Sequence, residues 1–270
     1  MRILLFLLVL VICWAPFAAM IYGYFNTARD LTDPGVLNLL NILVNGGLGG
    51  MFLVMLPWWN RAVYGRKKPF GFFGLVANQR SLFGFLQGWG MGFSSLLLLY
   101  FIQGLLGLLE WQPVSMPLEQ LLGGGLLSSV GVGFIEELVF RGWILTELEA
   151  DYSLAVSLWS NALLFAIIHF VKPLSVMLAM FPQFPGLTVL GLLLVWAKRS
   201  QQNLLGVSIG LHAGIIGVVY LVDVGKMVKY TNLAPAWITG AGTPAAGLMG
   251  IIGLLSLASF FALQNRQKSV

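Results

Sequence analysis

Two adjacent carboxylates and an arginine lie in an apolar stretch that reads Gly131-Val-Gly-Phe-Ile-Glu136-Glu137-Leu-Val-Phe-Arg141-Gly-Trp143. A charge at the centre of a membrane helix costs about 2.5–3.5 kcal/mol on an insertion scale, so three in one stretch need partners. At about 100° per residue, Glu137 and Arg141 lie about 40° apart and one turn from each other. Glu136 and Arg141 lie about 140° apart on the same geometry. Glu137 is therefore expected to pair with Arg141, while Glu136 has no cation on its own helix. A buried ion network that only packs helices is the plainer alternative for Glu137 and Arg141.

The chain has two histidines, and both fall in apolar stretches. One stretch reads Asn161-Ala-Leu-Leu-Phe165-Ala-Ile-Ile-His169, with Asn161, Phe165 and His169 on one helical face. The other reads Ser208-Ile-Gly-Leu-His212-Ala-Gly-Ile-Ile216. An intramembrane histidine alone is often only an interhelical hydrogen-bonding group. Two of them beside a carboxylate pair suggest a shared site. Glu136 and His169 sit on either side of a turn near Asp151, each roughly 20–27 Å from it at about 1.5 Å per residue. They therefore lie at similar depth, and His212 is near the middle of its span.

Two chemistries suit Glu136, His169 and His212. A carboxylate can act as general base on a water, with imidazole assisting. Alternatively the three could hold zinc as a two-histidine, one-carboxylate site. No HExxH helix is present, so the metal reading lacks its usual local signature.

The elements that must position these groups are membrane helices. The 270 residues include only 15 Lys and Arg and 10 Asp and Glu, and 58% are hydrophobic. Mean hydropathy is +0.88. A soluble fold of this length needs about 25% charged residues, so lipid is the solvent over much of the surface. The net charge of +5 comes without a basic stripe, which excludes a nucleic-acid partner. A lone cysteine, Cys13, forms no intrachain disulfide and reads as a small hydrophobe.

The expected fold is all-α, a polytopic membrane helix bundle of about eight transmembrane helices. The spans fall near 3–25, 36–57, 82–109, 127–148, 153–170, 174–197, 204–222 and 244–264. The first is too long for a signal h-region and is read as a retained helix. Gly123, Gly124 and Gly125 mark residues 117–126 as a surface helix and turn. Pro173, Pro182 and Pro185 break the sixth span, with a short helix at 174–181 lying in or re-entering the membrane. With the N-terminus inside, inner segments hold Arg2, Arg61, Arg66, Lys67, Lys68, Arg80, Lys198, Arg199, Arg266 and Lys268. Outer segments hold Arg29, Lys172, Lys226 and Lys229. This positive-inside bias places both termini in the cytoplasm.

In these residues the sequence resembles the CPBP family of intramembrane proteases, also called the CAAX protease and bacteriocin-processing, or Abi, family. Glu136-Glu137-Leu-Val-Phe-Arg141 matches that family's Glu-Glu-x-x-x-Arg motif, and Phe165-Ala-Ile-Ile-His169 matches its Phe-x-x-x-His. His212 matches the histidine of a third motif, His-x-x-x-Asn or Asp, but Ile216 stands where the amide or carboxylate is expected. The resemblance divides the chain into N-terminal helices with a basic loop (1–116), a catalytic core (117–222) and a C-terminal helix and tail (223–270). It implies that Glu136 activates water, that His169 assists, and that His212 helps hold the oxyanion; of the metal and metal-free mechanisms proposed for that family, the metal-free one is favoured here and no cofactor is expected. It further implies a membrane peptide or protein substrate, prenylated in some members.

An aliphatic Ile216 cannot donate a hydrogen bond. Ser208, one turn before His212, could supply a hydroxyl instead, and Asn161 an amide. Without such a donor the pocket would serve a catalytically impaired adaptor or immunity-type protein. A transporter using the same ionisable groups is a third reading, and no inverted repeat supports it.

Overall fold

The structure is a computed structural model and describes residues 2–66, 68–171 and 173–267. Lys67, Lys172 and Lys268, which carry part of the expected charge bias, lie outside the described residues, as does the side chain of Arg266. The chain forms two compact units, Met1–Phe72 and Phe73–Val270.

The first unit contains α1 (Arg2–Ala28), α2 (Pro34–Tyr64) and the short α3 (Pro69–Phe72). Asp33 starts α2, its carboxylate accepting from the backbone N–H of Gly35 and Val36. Gly65 stops α2 in the left-handed conformation, with φ 63°. Buried Phe6 joins α1 to α2 through edge contacts with Phe52 and Trp59.

The second unit opens with α4 (Gln79–Leu105), β1 (Leu109–Trp111) and α5 (Leu118–Glu137). A seven-residue π-helical turn, Leu138–Ile144, follows and continues into α6 (Leu145–Asp151). Then come α7 (Leu154–His169), α8 (Leu174–Met180), α9 (Phe184–Ser200) and α10 (Gly206–Val224). The unit closes with β2 (Val228–Tyr230), α11 (Ala236–Thr239) and α12 (Leu248–Gln267).

Among the described residues seven helices are long and apolar enough to cross a membrane, and the chain is a multi-pass integral membrane protein. The expected span that falls short is the fifth, 153–170, which is α7 and has only 16 residues. At about 1.5 Å per residue it is shorter than the roughly 30 Å hydrocarbon core. The bundle is helical as expected, with one small addition. Strands β1 and β2 pair antiparallel, with Leu109 opposite Tyr230 and Trp111 opposite Val228.

Helix α10 is the centre of this unit, packed by α4, α5 and α9. Small residues allow the approach. Gly84, Gly88 and Gly92 on α4 recur every four residues, as do Gly206, Gly210 and Gly214 on α10. A Cβ on Gly88 would collide with the Val207 carbonyl, and one on Gly210 with the Phe85 carbonyl. Two backbones thus meet directly, the small-residue packing available to helices in lipid.

The same physics corrects the expected break at Gly123–Gly125. Helix α5 runs unbroken from Leu118 through all three glycines. Gly124 and Gly125 are there because the Tyr220 side chain of α10 lies against them. The expected sixth span is divided, with α8 and a short 3-10 turn at Phe181–Gln183 preceding α9.

Candidate active site

Helix α5 buries Leu121, Gly125, Ser129, Gly133 and Glu137, a residue every four positions. Gly133 sits against Ala213 of α10. The face that packs on α10 therefore delivers Glu137 to that helix, directly to His212. Glu136 is rotated by about 100° from it and faces α7.

Glu137 and Arg141 are both fully buried and pair as expected, Nη1 donating to Oε1 at 2.9 Å. The same Oε1 meets His212 Nδ1 at 2.9 Å. Arg141 Nη2 also donates to the Gly191 carbonyl of α9 at 3.3 Å, and its guanidinium lies 4.2 Å from the centre of the Phe165 ring. The buried cation thus has a carboxylate, a carbonyl and an aromatic face.

Phe165 is the floor of the site. Its ring contacts Phe140 at 5.1 Å, His169 at 4.4 Å and His212 at 5.8 Å between centroids. The phenylalanine of the second motif thereby has a physical role, since one apolar plate sets Arg141 and both imidazoles.

Glu136 is different from its neighbour. Its side chain is 28% exposed, that of His169 31%, and that of Glu137 fully buried. Glu136 Oε2 lies 3.7 Å from His169 Nε2 and 3.9 Å from His212 Nε2. It has no hydrogen-bond partner among the described residues. The trio is thus brought together around a single carboxylate oxygen.

The opposite ring nitrogens fix the tautomers. His169 Nδ1 is 2.7 Å from the Phe165 carbonyl, which only accepts, so Nδ1 carries the proton. His212 Nδ1 faces the Glu137 carboxylate and donates likewise. In the neutral rings both Nε2 atoms are bare and turned toward Glu136. These donors suit zinc by type, but among the described residues no group of three His, Cys, Asp or Glu is placed to hold a metal ion.

The two suggested substitutes for the missing amide are engaged elsewhere. Asn161 Nδ2 donates to the Phe140 carbonyl at 2.7 Å, and Ser208 Oγ to the Leu205 carbonyl at 3.1 Å. Both hold backbone rather than aim a donor at the site. Ile216, one turn beyond His212, is half-buried.

One participant escaped sequence reading. Lys198 belongs to α9 and is buried, with Nζ donating to the Arg141 carbonyl at 2.6 Å. At the end of an apolar run it has the look of an inner loop charge, and nothing in the sequence marks it otherwise.

Residues 118–217 match the family model described as Type II CAAX prenyl endopeptidase Rce1-like. The match spans α5 to most of α10 and includes every residue of the three motifs. It is to the family those motifs resemble. No curated protein and no solved structure matches the chain.

Proposed function

From the CAAX-protease type of residues 118–217, we propose that this chain is an intramembrane endopeptidase. It hydrolyses a peptide bond of a membrane-associated substrate with water activated by Glu136 and His169. The observation that carries this is the single Glu136 oxygen, buried and unbonded on a side chain that is 28% exposed, set against the Nε2 atoms of two imidazoles. A water there can give one hydrogen to Glu136 and point the other at His169 Nε2, which leaves its lone pair for the carbonyl carbon.

The steps balance on protein groups. Water oxygen bonds the scissile carbon while Glu136 takes the proton. The carbonyl oxygen becomes an oxyanion. The C–N bond then breaks, and the Glu136 proton goes to the leaving amine. His212 serves the oxyanion only as an imidazolium, because its Nδ1 proton is already committed to Glu137. With isoleucine at 216, that charged N–H is the donor left from the third motif.

The charge bias supports both termini on the cytoplasmic side, and the family match over residues 118–217 supports a catalytic core at 117–222. Prenylated C-terminal peptides are the first substrates to try, given the family matched. The test is cleavage of a synthetic prenylated CAAX peptide by purified protein in liposomes. Wild type is expected to cut, with Glu136→Gln at least about 100-fold slower. Equal rates would sink the mechanism.

Ile216 favours a second reading, a membrane adaptor that binds its partner in the same pocket without hydrolysis. Under it, the cellular phenotype of the protein survives Glu136→Gln in full.

A further inference from the structure

A lysine that looks like a loop charge in sequence is buried behind the site, where its ammonium holds one carbonyl. In the π-helical turn the N–H of Leu145 bonds the Phe140 carbonyl five residues back. Helix α6 resumes the four-residue pattern at Leu145, a pattern that assigns the next backbone donor, Thr146, to the Gly142 carbonyl, which also takes the Thr146 hydroxyl at 2.6 Å. The change of pattern leaves the Arg141 carbonyl without a donor from its own helix. A carbonyl buried in a membrane protein must find a donor, and Lys198 Nζ supplies it at 2.6 Å from α9.

The pair that follows from that carbonyl is unusual. Guanidinium and carboxylate groups prefer to close fork to fork through two parallel bonds. Here Arg141 touches Glu137 through Nη1 and Oε1 alone. Arg141 Nε and Glu137 Oε2 are both buried and without a hydrogen-bond partner among the described residues. Oε1 is shared with His212 Nδ1. The pair is held short of its own best geometry, and the histidine takes the contact that results.

We propose that Lys198 is a positioning residue for His212. By gripping the Arg141 carbonyl it maintains the π-helical turn, keeps the Glu137–Arg141 pair in its one-oxygen geometry, and so leaves Glu137 available to orient the imidazole. Released from Lys198, the turn relaxes toward regular helix, Arg141 closes on both Glu137 oxygens, and His212 Nδ1 loses its acceptor. His169 is insulated from this, because its own Nδ1 is held by the Phe165 carbonyl one turn earlier on α7. The functional weight of His212 rests on the proteolytic reading above, but its orientation does not.

The chain has two histidines, which makes the test direct. Full-length protein labelled with 15N-histidine, purified without a polyhistidine tag and placed in lipid nanodiscs, gives two imidazole spin systems. His212→Gln assigns them. Wild type is expected to show Nδ1–H forms for both rings. In Lys198→Met the hydrogen-bonded Nδ1–H signal of His212 is lost while that of His169 stays. An unchanged His212 in folded Lys198→Met overturns the proposal, and so does an equal change at both histidines, which would mean general loosening. If Lys198→Met does not fold, Lys198→Arg decides: it retains a cationic donor and must retain the His212 signal, and losing it overturns the proposal. The readout needs no substrate. A protein that cuts nothing yet shows this dependence refutes the proteolytic reading and leaves the role of Lys198 standing.

Discussion

Glu136 and Glu137 are neighbours of the same type, and their neutralisation is expected to have opposite consequences. Glu137 is fully buried, and its Oε1 takes bonds from Arg141 and His212, each at 2.9 Å. Glu137→Gln keeps the shape and removes the charge. Arg141 is left in the interior with the Gly191 carbonyl and the Phe165 ring but no anion. Breaking a buried ion pair from one side costs about 3–5 kcal/mol. At about 2–4 °C per kcal/mol for a chain of this size class, the midpoint should fall by roughly 6–20 °C. Glu136 makes no hydrogen bond through its buried oxygen and is 28% exposed, so Glu136→Gln should stay within about 0.5 kcal/mol of wild type. Its turnover should nevertheless drop at least about 100-fold. Thermal unfolding in nanodiscs, followed by the fluorescence of the 9 tryptophans, measures the first effect and peptide cleavage the second. Equal midpoints for the two variants, or a larger drop for Glu136→Gln, would refute the division of labour argued from burial.

Three further outcomes are expected. Ile216→Asn adds the amide that the third motif lacks and should raise turnover by up to about 100-fold, measured at saturating peptide; a rate at or below wild type would show that another group already fills the role. Gly210→Leu drives a side chain into the Phe85 backbone and should cost at least about 1–3 kcal/mol, whereas Gly90→Leu, with nothing within 4 Å of its Cβ position, should be tolerated; comparable yields and midpoints of folded protein would contradict the tight α4–α10 pairing. Asn161→Leu removes the amide donor to the Phe140 carbonyl and should destabilise by about 1–3 kcal/mol, read from the same unfolding curves.

Much of the site was legible in the sequence because it obeys the helical period. Glu137 and Arg141 pair because they are four residues apart, and Asn161, Phe165 and His169 share a face for the same reason. Helix existence followed from apolar length, since lipid admits little else. The continuity of α5 across Gly123, Gly124 and Gly125 was not legible. Glycine in a row breaks an isolated helix, but here the absent side chains of Gly124 and Gly125 make room for Tyr220. The reciprocal glycines of α4 and α10 carried a readable signal, a small residue every fourth position on each, which becomes meaningful only as a pair.

The sequence by itself determined the solvent, the helices and which ionisable groups are costly enough to need a purpose. Those are one-dimensional properties: composition, period and the penalty for charge in hydrocarbon. Only the tertiary structure decided the contacts made between helices. It gave His212 to Glu137 through Nδ1, turned two bare nitrogens to Glu136, and sent Asn161 and Ser208 to backbone carbonyls. It also turned Lys198 from an expected loop charge into the donor for Arg141. Such partners come from separate helices, and their meeting depends on packing azimuth and on a π-helical turn that no local residue pattern announces.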